Sequence, residues 1–338
     1  MTARPLDDAE LVRFGVRLED EGPHPFDPAE RHWNESWFWD WFDAEGEVAG
    51  HCRIGLHPVQ DRLWVWFYLY QRGEWVAVEE TRLPAAALRL PDVAYDDGFG
   101  LRFAWEPRAP LREGRFRFEG FGRVLSGPRA GLVLPVAADL EIQALGAPHA
   151  PPQRGAVAGH SSATFQASRF EQPIASRGTL RIGAAEIPFA GRGERDHSWG
   201  PRHWNLEWIF LALNADGLCL QCAEARVPGA GRFAGGYLQR GEARAIEEVV
   251  FDLAFDDDCV LAPVRGHFAV KSADGSGFGG RIEPVSAAEI DITHCFVPPQ
   301  RSIYRRALIR VHPDVPEKDA GERPLLGWIE FNRMQKGS

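Results

Sequence analysis

Apolar and polar residues alternate over short stretches of this chain and do not keep helical spacing for long. In residues 114–121, Phe116, Phe118 and Gly120 share one face, and mainly charged residues occupy the other. A period of two is expected of an antiparallel strand with one face in water. The run Leu63 to Tyr70 is apolar on both faces, which predicts a buried strand.

Similar short stretches recur along the whole sequence. Strands are predicted at residues 37–42, 48–56, 63–70, 99–105, 114–121, within 132–145, and at 163–170, 178–182, 206–213, 218–227, 249–255, 266–271, 303–311 and 326–332. A single short helix is predicted at residues 6–14. Short strands separated by turn residues favour antiparallel barrels or sandwiches, so the predicted fold class is mainly β.

One stretch separates two halves that have similar lengths and similar patterns of short predicted strands. Residues 146–162, GAPHAPPQRGAVAGHSS, are rich in Pro, Gly, Ala and Ser and show no periodicity. We therefore predict a lead-in at residues 1–30, a first β-domain at 31–150 and a second at 151–338. A length of 338 residues agrees with two domains.

Charge and composition narrow the choice of partners. The chain has 38 basic and 48 acidic residues, a net charge of −10, and no block of Lys or Arg. This balance does not favour nucleic acid or an anionic membrane as the main partner. No uncharged run reaches the roughly 18 residues of a membrane span, so no stable membrane insertion is expected. The absence of an apolar signal segment and the five scattered cysteines predict a reduced, cytoplasmic protein.

The densest group of reactive side chains is residues 191–204, GRGERDHSWGPRHW, which we place between two glycine-marked bends. If the centre is extended, Asp196 and Ser198 share one face, and Arg195, His197 and Trp199 share the other. Apolar rings desolvate a nearby carboxyl and raise its pKa, which keeps it protonated near neutral pH. The motif therefore predicts either an acid site or a structural corner.

A second group, residues 33–43, places the carboxyls of Glu35 and Asp40 among the large rings of Trp37 and Trp39. A buried carboxyl without a partner is costly, so each is expected to be paired or to face a cavity. These residues either line a ligand cavity or belong to a barrel core whose acids pair with arginine.

Other motifs do not indicate a cofactor. Cys219 and Cys222 fit the CxxC pattern, but they lie in a predicted strand, where positions three apart point to opposite faces. The glycine-rich stretches 229–236 and 275–280 are predicted to be hairpin turns and not phosphate loops. The histidines show no metal-ligand spacing. No cofactor and no metal are therefore predicted.

The Asp196-His-Ser-Trp-Gly200 core, with the flanking glycines, resembles the signature of the AttH/CrtC-like group. This group includes carotenoid 1,2-hydratases and kievitone hydratase. The resemblance spans about residues 33–332 and includes Glu35-Ser-Trp37 and Gly327-Trp-Ile-Glu-Phe331. It implies two lipocalin-like β-domains in tandem. It also implies cofactor-free acid catalysis, in which an acid protonates an isoprenoid double bond and aromatic faces hold the cation until water attacks.

The resemblance also implies roles for particular residues. The family's His-x-Trp pair falls on His197 and Trp199. Where the family has Tyr-x-Asp on a following strand, this chain has Glu224-Ala-Arg226. Glu224 is thus a candidate acid. Arg226 departs from the family pattern, so isomerisation, cyclisation and dehydration are alternatives to hydration.

We therefore predict a hydratase, dehydratase or isomerase acting on a hydrophobic, isoprenoid-like substrate. Asp196 or Glu224 would be the acid, His197 would orient it or carry the proton, and Trp199 would stabilise the cation. The residues expected to contact the substrate are Glu35, Trp37, Trp39, Asp40 and Trp204. Two alternatives remain: a lipocalin-like binder of an apolar small molecule, and a shape-driven cyclase or pericyclase.

Overall fold

The structure, a computed structural model, describes residues 6–150, 168–202, 207–227, 231–255, 263, 265–292, 302–315 and 323–334. Within these ranges it contains eighteen strands, one short helix at Asp8–Leu11, and 3₁₀ turns at Leu18–Glu21, Pro58–Gln60 and Ala85–Ala87. The helix is shorter than the predicted 6–14. It begins with a capping box, in which Asp7 and Glu10 each accept the other's backbone N–H.

The first ten strands form one antiparallel sheet. They are β1 (Trp33–Asp43), β2 (Val48–His57), β3 (Arg62–Gln71), β4 (Glu74–Leu83), β5 (Ala94–Asp96), β6 (Arg102–Ala109), β7 (Glu113–Val124), β8 (Val133–Ala144), β9 (Ser168–Ile182) and β10 (Ala185–Pro201). Their order is β4-β3-β2-β1-β10-β9-β8-β7-β6-β5, and a short extra pairing joins β4 to β7. One face of this sheet packs around an aromatic core that includes Trp37, Trp39, Trp41, Phe67 and Phe116.

The remaining eight strands form a closed antiparallel barrel. They are β11 (Glu207–Ala215), β12 (Leu218–Val227), β13 (Gly231–Arg240), β14 (Glu242–Ala254), β15 (Arg265–Ser272), β16 (Gly277–Asp291), β17 (Ser302–Pro313) and β18 (Leu325–Met334). Its core is mainly aliphatic and includes Leu211, Leu220, Ile309 and Ile329. The predicted fold class, mainly β with two antiparallel β-modules, is confirmed.

The two compact units do not coincide with the predicted domains 31–150 and 151–338. Among the described residues, the first unit comprises those up to Arg202, including the lead-in, and the second those from Glu207 onward. The difference arises because β10 pairs with β1 along nine residue pairs, and β9 joins β10 to β8. Much of the expected boundary segment, and most of the predicted strand 163–170, lie outside the described residues. No helix among the described residues is long and apolar enough to cross a membrane.

Residues 191–204 were predicted to lie between two glycine-marked bends, but residues 191–201 are the end of the continuous strand β10. The glycines of the motif permit close packing against β1. A Cβ atom on Gly193 would overlap the carbonyl oxygen of Asp40, and one on Gly191 would overlap that of Phe42. The side chain of Asp40 reinforces this contact, since its Oδ1 accepts a 2.7 Å hydrogen bond from the Glu194 N–H.

We predict that Gly193→Ala lowers the free energy of unfolding by about 2–3 kcal/mol, because β1 and β10 would have to separate. Chemical denaturation measures this change. Gly235→Ala on β13 is the matched control, since its new Cβ would have no neighbour closer than 3.8 Å. Equal stability of the two variants would contradict the packing argument.

Candidate active site

The candidate site lies where β1 and β10 pair. Their register places Glu35 opposite Trp199, Trp37 opposite His197, and Trp39 opposite Arg195. Directly paired residues point to the same side of a sheet, so these side chains share the face that packs into the core of the first unit. The alternation expected within residues 195–199 is therefore present in the structure.

A buried ion pair holds the lead-in segment against this face. Both nitrogens Nη1 and Nη2 of Arg195 donate 2.8 Å hydrogen bonds to the Glu21 carboxylate. Glu21 also accepts hydrogen bonds from Trp105 Nε1 at 3.1 Å and from the Leu111 N–H at 2.7 Å. The two paired side chains are only 7% and 6% exposed. With four donors around one carboxylate, its desolvation is compensated.

Further contacts fix the position of the Arg195 guanidinium. Its Nε donates a 2.8 Å hydrogen bond to Oε1 of Gln172, and the group lies over the rings of Trp105 and Phe170. Gln172 in turn donates to the backbone carbonyls of Leu111 and Gly146. This network makes the end of the lead-in a fixed part of the first unit.

The anchored lead-in delivers two groups to Glu35 and His197. The backbone carbonyl of Asp20 accepts a 2.8 Å hydrogen bond from Nδ1 of His197. His24 approaches Glu35 twice, with its backbone N–H at 2.9 Å and its Nδ1 at 2.9 Å from Oε1. Gly22 and His24 each precede a proline, which biases both toward extended backbone.

The hydrogen-bond geometry determines where a proton lies. A carbonyl oxygen can only accept, so Nδ1 of His197 carries a proton. Nε2 of the same ring lies 3.1 Å from Oε1 of Glu35. A hydrogen bond between these two atoms requires one further proton, held either by the imidazole or by the carboxyl. Glu35 and His197 therefore form a proton-sharing pair.

The surroundings of Glu35 favour the charged form of its carboxyl. Burial raises the pKa of its carboxyl, but hydrogen bonds from His197 and His24 outweigh burial and hold the pKa below its ordinary value. Glu35 is thus a carboxylate at neutral pH. The side chains of His197 and Glu35 are only 3% and 1% exposed.

Aromatic rings surround the pair. Trp37 stacks on the His197 ring with centroids 5.0 Å apart, Trp199 lies 5.2 Å away, and Phe170 contacts it edge-on at 5.8 Å. Trp199 also stacks on His24 at 3.8 Å with nearly parallel planes. Indole faces favour a neighbouring cation.

The structure separates the residues predicted from the sequence into two groups. It brings together Glu35, Trp37, His197 and Trp199. Trp39 lies one pair further along the same face, packed against Trp105 and Phe116. These contacts make Trp39 part of the aromatic core.

The two predicted acids, Asp196 and Glu224, and the predicted substrate contact Asp40 have other partners. Asp196 lies on the opposite face of β10 and pairs with Arg169. Asp40 accepts a backbone hydrogen bond from β10. Glu224 belongs to the barrel, where it pairs with Arg226 at 3.0 Å and with Arg232 at 2.8 Å. Trp204 lies outside the described residues.

Four residues of the site were not identified from the sequence: Asp20, Glu21, His24 and Gln172. Residues 1–30 are predicted only as a lead-in, with no site residue among them. One signal was available, because a histidine between two prolines at 23–25 is held extended and cannot be absorbed into a helix. Its pairing with Glu35 depends on tertiary contacts that no local pattern encodes.

Comparison with known proteins adds a family and a fold. Residues 17–335 match the family described as "Domain of unknown function (DUF7064)". The chain belongs to this family. Among proteins with curated descriptions, none matches its sequence.

Several solved structures share the fold. A protein assigned as AttH from Nitrosomonas europaea superposes with a TM-score of 0.59 at 14% identity, covering 98% of each chain. CghA in complex with Sch210972 gives 0.56 at 13% identity, covering 90% of this chain and 89% of that one. Kievitone hydratase from Nectria haematococca gives 0.54 at 11% identity, covering 97% and 95%. The AttH-like resemblance is confirmed at the level of the fold.

We predict that Arg195→Met lowers the free energy of unfolding by about 3–5 kcal/mol, because Glu21 would remain buried without its cationic partner. Equilibrium denaturation in urea measures this. The exposed pair Arg102–Glu119 provides the control, and Arg102→Gln is expected to change stability little. A loss for Arg195→Met no larger than that of the control would show that the anchor is dispensable.

The ion pair also predicts an acid-sensitive stability. Burial raises the pKa of Glu21, but the Arg195 charge and the hydrogen bonds outweigh it, so the folded-state pKa lies below the ordinary value. Such a group stabilises the fold above its unfolded pKa, about 4.3, and this contribution disappears as the pH falls through the lowered folded value. The melting temperature should therefore decrease below about pH 4. Glu21→Gln should be less stable at pH 6 and should lose less on acidification; parallel pH curves would contradict this assignment.

Proposed function

We propose that the chain is an acid–base enzyme of the hydratase or isomerase type that acts on an apolar, alkene-containing small molecule. The observation that carries the proposal is the buried proton-sharing pair of Glu35 and His197 beside two indole rings. His197 would donate the proton from Nε2, and Glu35 would hold the imidazole in its protonated form.

The proposed reaction follows from the ability of the pair to donate a proton and to accept one. Transfer of the Nε2 proton to one alkene carbon leaves a carbocation on the other carbon and a neutral imidazole. The Glu35 carboxylate and the faces of Trp37 and Trp199 would stabilise this cation. If neutral His197 then removes a proton from an adjacent carbon, the product is an isomer. If water attacks the cation and loses a proton to His197, the product is an alcohol.

A polar atom is available to orient that water or a substrate hydroxyl. Trp37 Nε1 is buried and, like those of Trp39 and Trp41 in the core, has no hydrogen-bond partner among the described residues; only Trp37 also stacks on His197. Buried donors in folded proteins are almost always satisfied, so an oxygen of water or substrate is the expected acceptor. The substrate would enter past His24 and Trp199, the two members of the group that are not fully buried.

The fold is compatible with this activity. Kievitone hydratase, whose name denotes a hydratase, shares it. The alternative of a binding protein predicts the same apolar surroundings but no exchange of protons with the ligand.

Solvent deuterium incorporation tests the proposal whichever product is formed. The protein is incubated in D₂O with prenyl alcohols such as geraniol, farnesol and geranylgeraniol, and the recovered compounds are analysed by mass spectrometry. Reversible protonation places deuterium on carbon in either reaction. We expect His197→Gln and Glu35→Gln to reduce this incorporation by about 10²-fold or more.

Two variants make the test specific. Ser36→Ala removes the 2.9 Å hydroxyl contact with Ser198 on the opposite face of the same strands, and it should retain activity within a few-fold. Asp196→Asn distinguishes the pair from the acid predicted by the sequence. Loss of activity in Asp196→Asn, with activity retained in Glu35→Gln, would overturn the assignment, and binding without any exchange would favour a binding protein.

A further inference from the structure

We propose that His24 Nδ1, Glu35 Oε1 and His197 Nε2 form a binding site for a divalent transition-metal ion such as Zn²⁺, which takes the place of the shared ring proton. Each of the three residues offers one ligand atom, and these atoms all lie within 4.8 Å of one another. The site goes beyond the acid–base function, which uses the metal-free form of the same residues.

The donor set selects the class of ion. Two imidazole nitrogens and one carboxylate oxygen suit Zn²⁺ and its neighbours in the first transition row better than Mg²⁺ or Ca²⁺, which prefer oxygen. Donors about 2.0–2.1 Å from a tetrahedral Zn²⁺ are roughly 3.3 Å apart. The distances from Glu35 Oε1, 2.9 Å to His24 Nδ1 and 3.1 Å to His197 Nε2, are already close to that spacing.

The surroundings of the two rings support this inference independently. Ring nitrogens that bind metal usually have the opposite N–H directed at a carbonyl or a carboxylate. Asp20 supplies this contact for His197, since its backbone carbonyl accepts a 2.8 Å hydrogen bond from Nδ1. The Asp20 carboxylate also lies near the second ring, with Oδ1 3.5 Å from Nε2 of His24. Nδ1 of His197 is thus occupied by a proton, which leaves Nε2 as the ring atom that can bind an ion.

The other charged groups nearby do not compete for the ion. Arg17 pairs with Asp20 at 2.8 Å and keeps that carboxylate outside the donor set. Glu21 is fully engaged by Arg195, Trp105 and Leu111. Three protein donors leave at least one coordination position for water. The ion and the transferable proton use the same atoms, so Zn²⁺ is expected to inhibit the proposed proton transfer.

Isothermal titration calorimetry with ZnCl₂ on the chelator-treated full chain tests the site without any substrate. We expect one ion per chain and at least about 10-fold weaker binding in His24→Phe, which keeps an aromatic stack on Trp199 but has no ring nitrogen. His267→Ala is the control, since His267 forms an exposed pair with Asp314 in the barrel. No binding to the wild type, or equal affinity in His24→Phe, would overturn the proposal.

A second measurement covers the case in which His24→Phe does not fold. Co²⁺ added to the wild-type chain should give the visible absorption of a low-coordinate site with imidazole ligands, and Zn²⁺ should abolish it. A spectrum that remains that of hydrated Co²⁺ would also overturn the proposal. Metal binding without deuterium exchange in the metal-free protein would leave the site intact and refute the acid–base function, so the two proposals fail separately.

Discussion

The bidentate pair of Arg195 and Glu21 is the contact on which the geometry of the site depends. It joins a guanidinium on the core face of β10 to a carboxylate of the lead-in that four donors satisfy. A buried pair of this kind stabilises little in net terms, because both ions lose their hydration. What it provides is position. With Glu21 fixed, the Asp20 carbonyl and the His24 ring must face His197 and Glu35.

The pairing of β1 with β10 provides the second constraint. Because the two strands are in direct register, alternate residues separate into a face with Glu35, Trp37 and His197 and a face with Ser36, Ser198 and Asp196. The two glycines permit this close approach, since any side chain there would meet the backbone of β1. The motif therefore combines two requirements in one strand: small residues for packing at its start and titratable residues for chemistry at its centre.

Much of the fold was predictable from the sequence, because a strong alternation of apolar and polar residues shows which face of a strand is buried. Residues 114–121 behave as expected, with Phe116 and Phe118 in the core. The glycine-rich stretches were predicted as turns, and this is confirmed for Gly275, which lies in the turn between β15 and β16. It is wrong for Gly235 and Gly236, which lie within β13, and for Gly277 to Gly280, which begin β16. Because glycine is a poor strand former, a glycine-rich sequence predicts the end of a strand. In these strands the pairing with neighbours, and not propensity, decides the structure.

The candidate site was predictable only in part, for a related reason. His197, Trp199, Glu35 and Trp37 carry their signal in dense local motifs. The partner of His197 was sought in Asp196, its neighbour in sequence, but adjacent residues of a strand point to opposite faces. The carboxylate that meets His197 lies 162 positions away in the chain. Such a pair forms only when β10 lies beside β1. The sequence of one strand does not identify the residues that face it on the neighbouring strand.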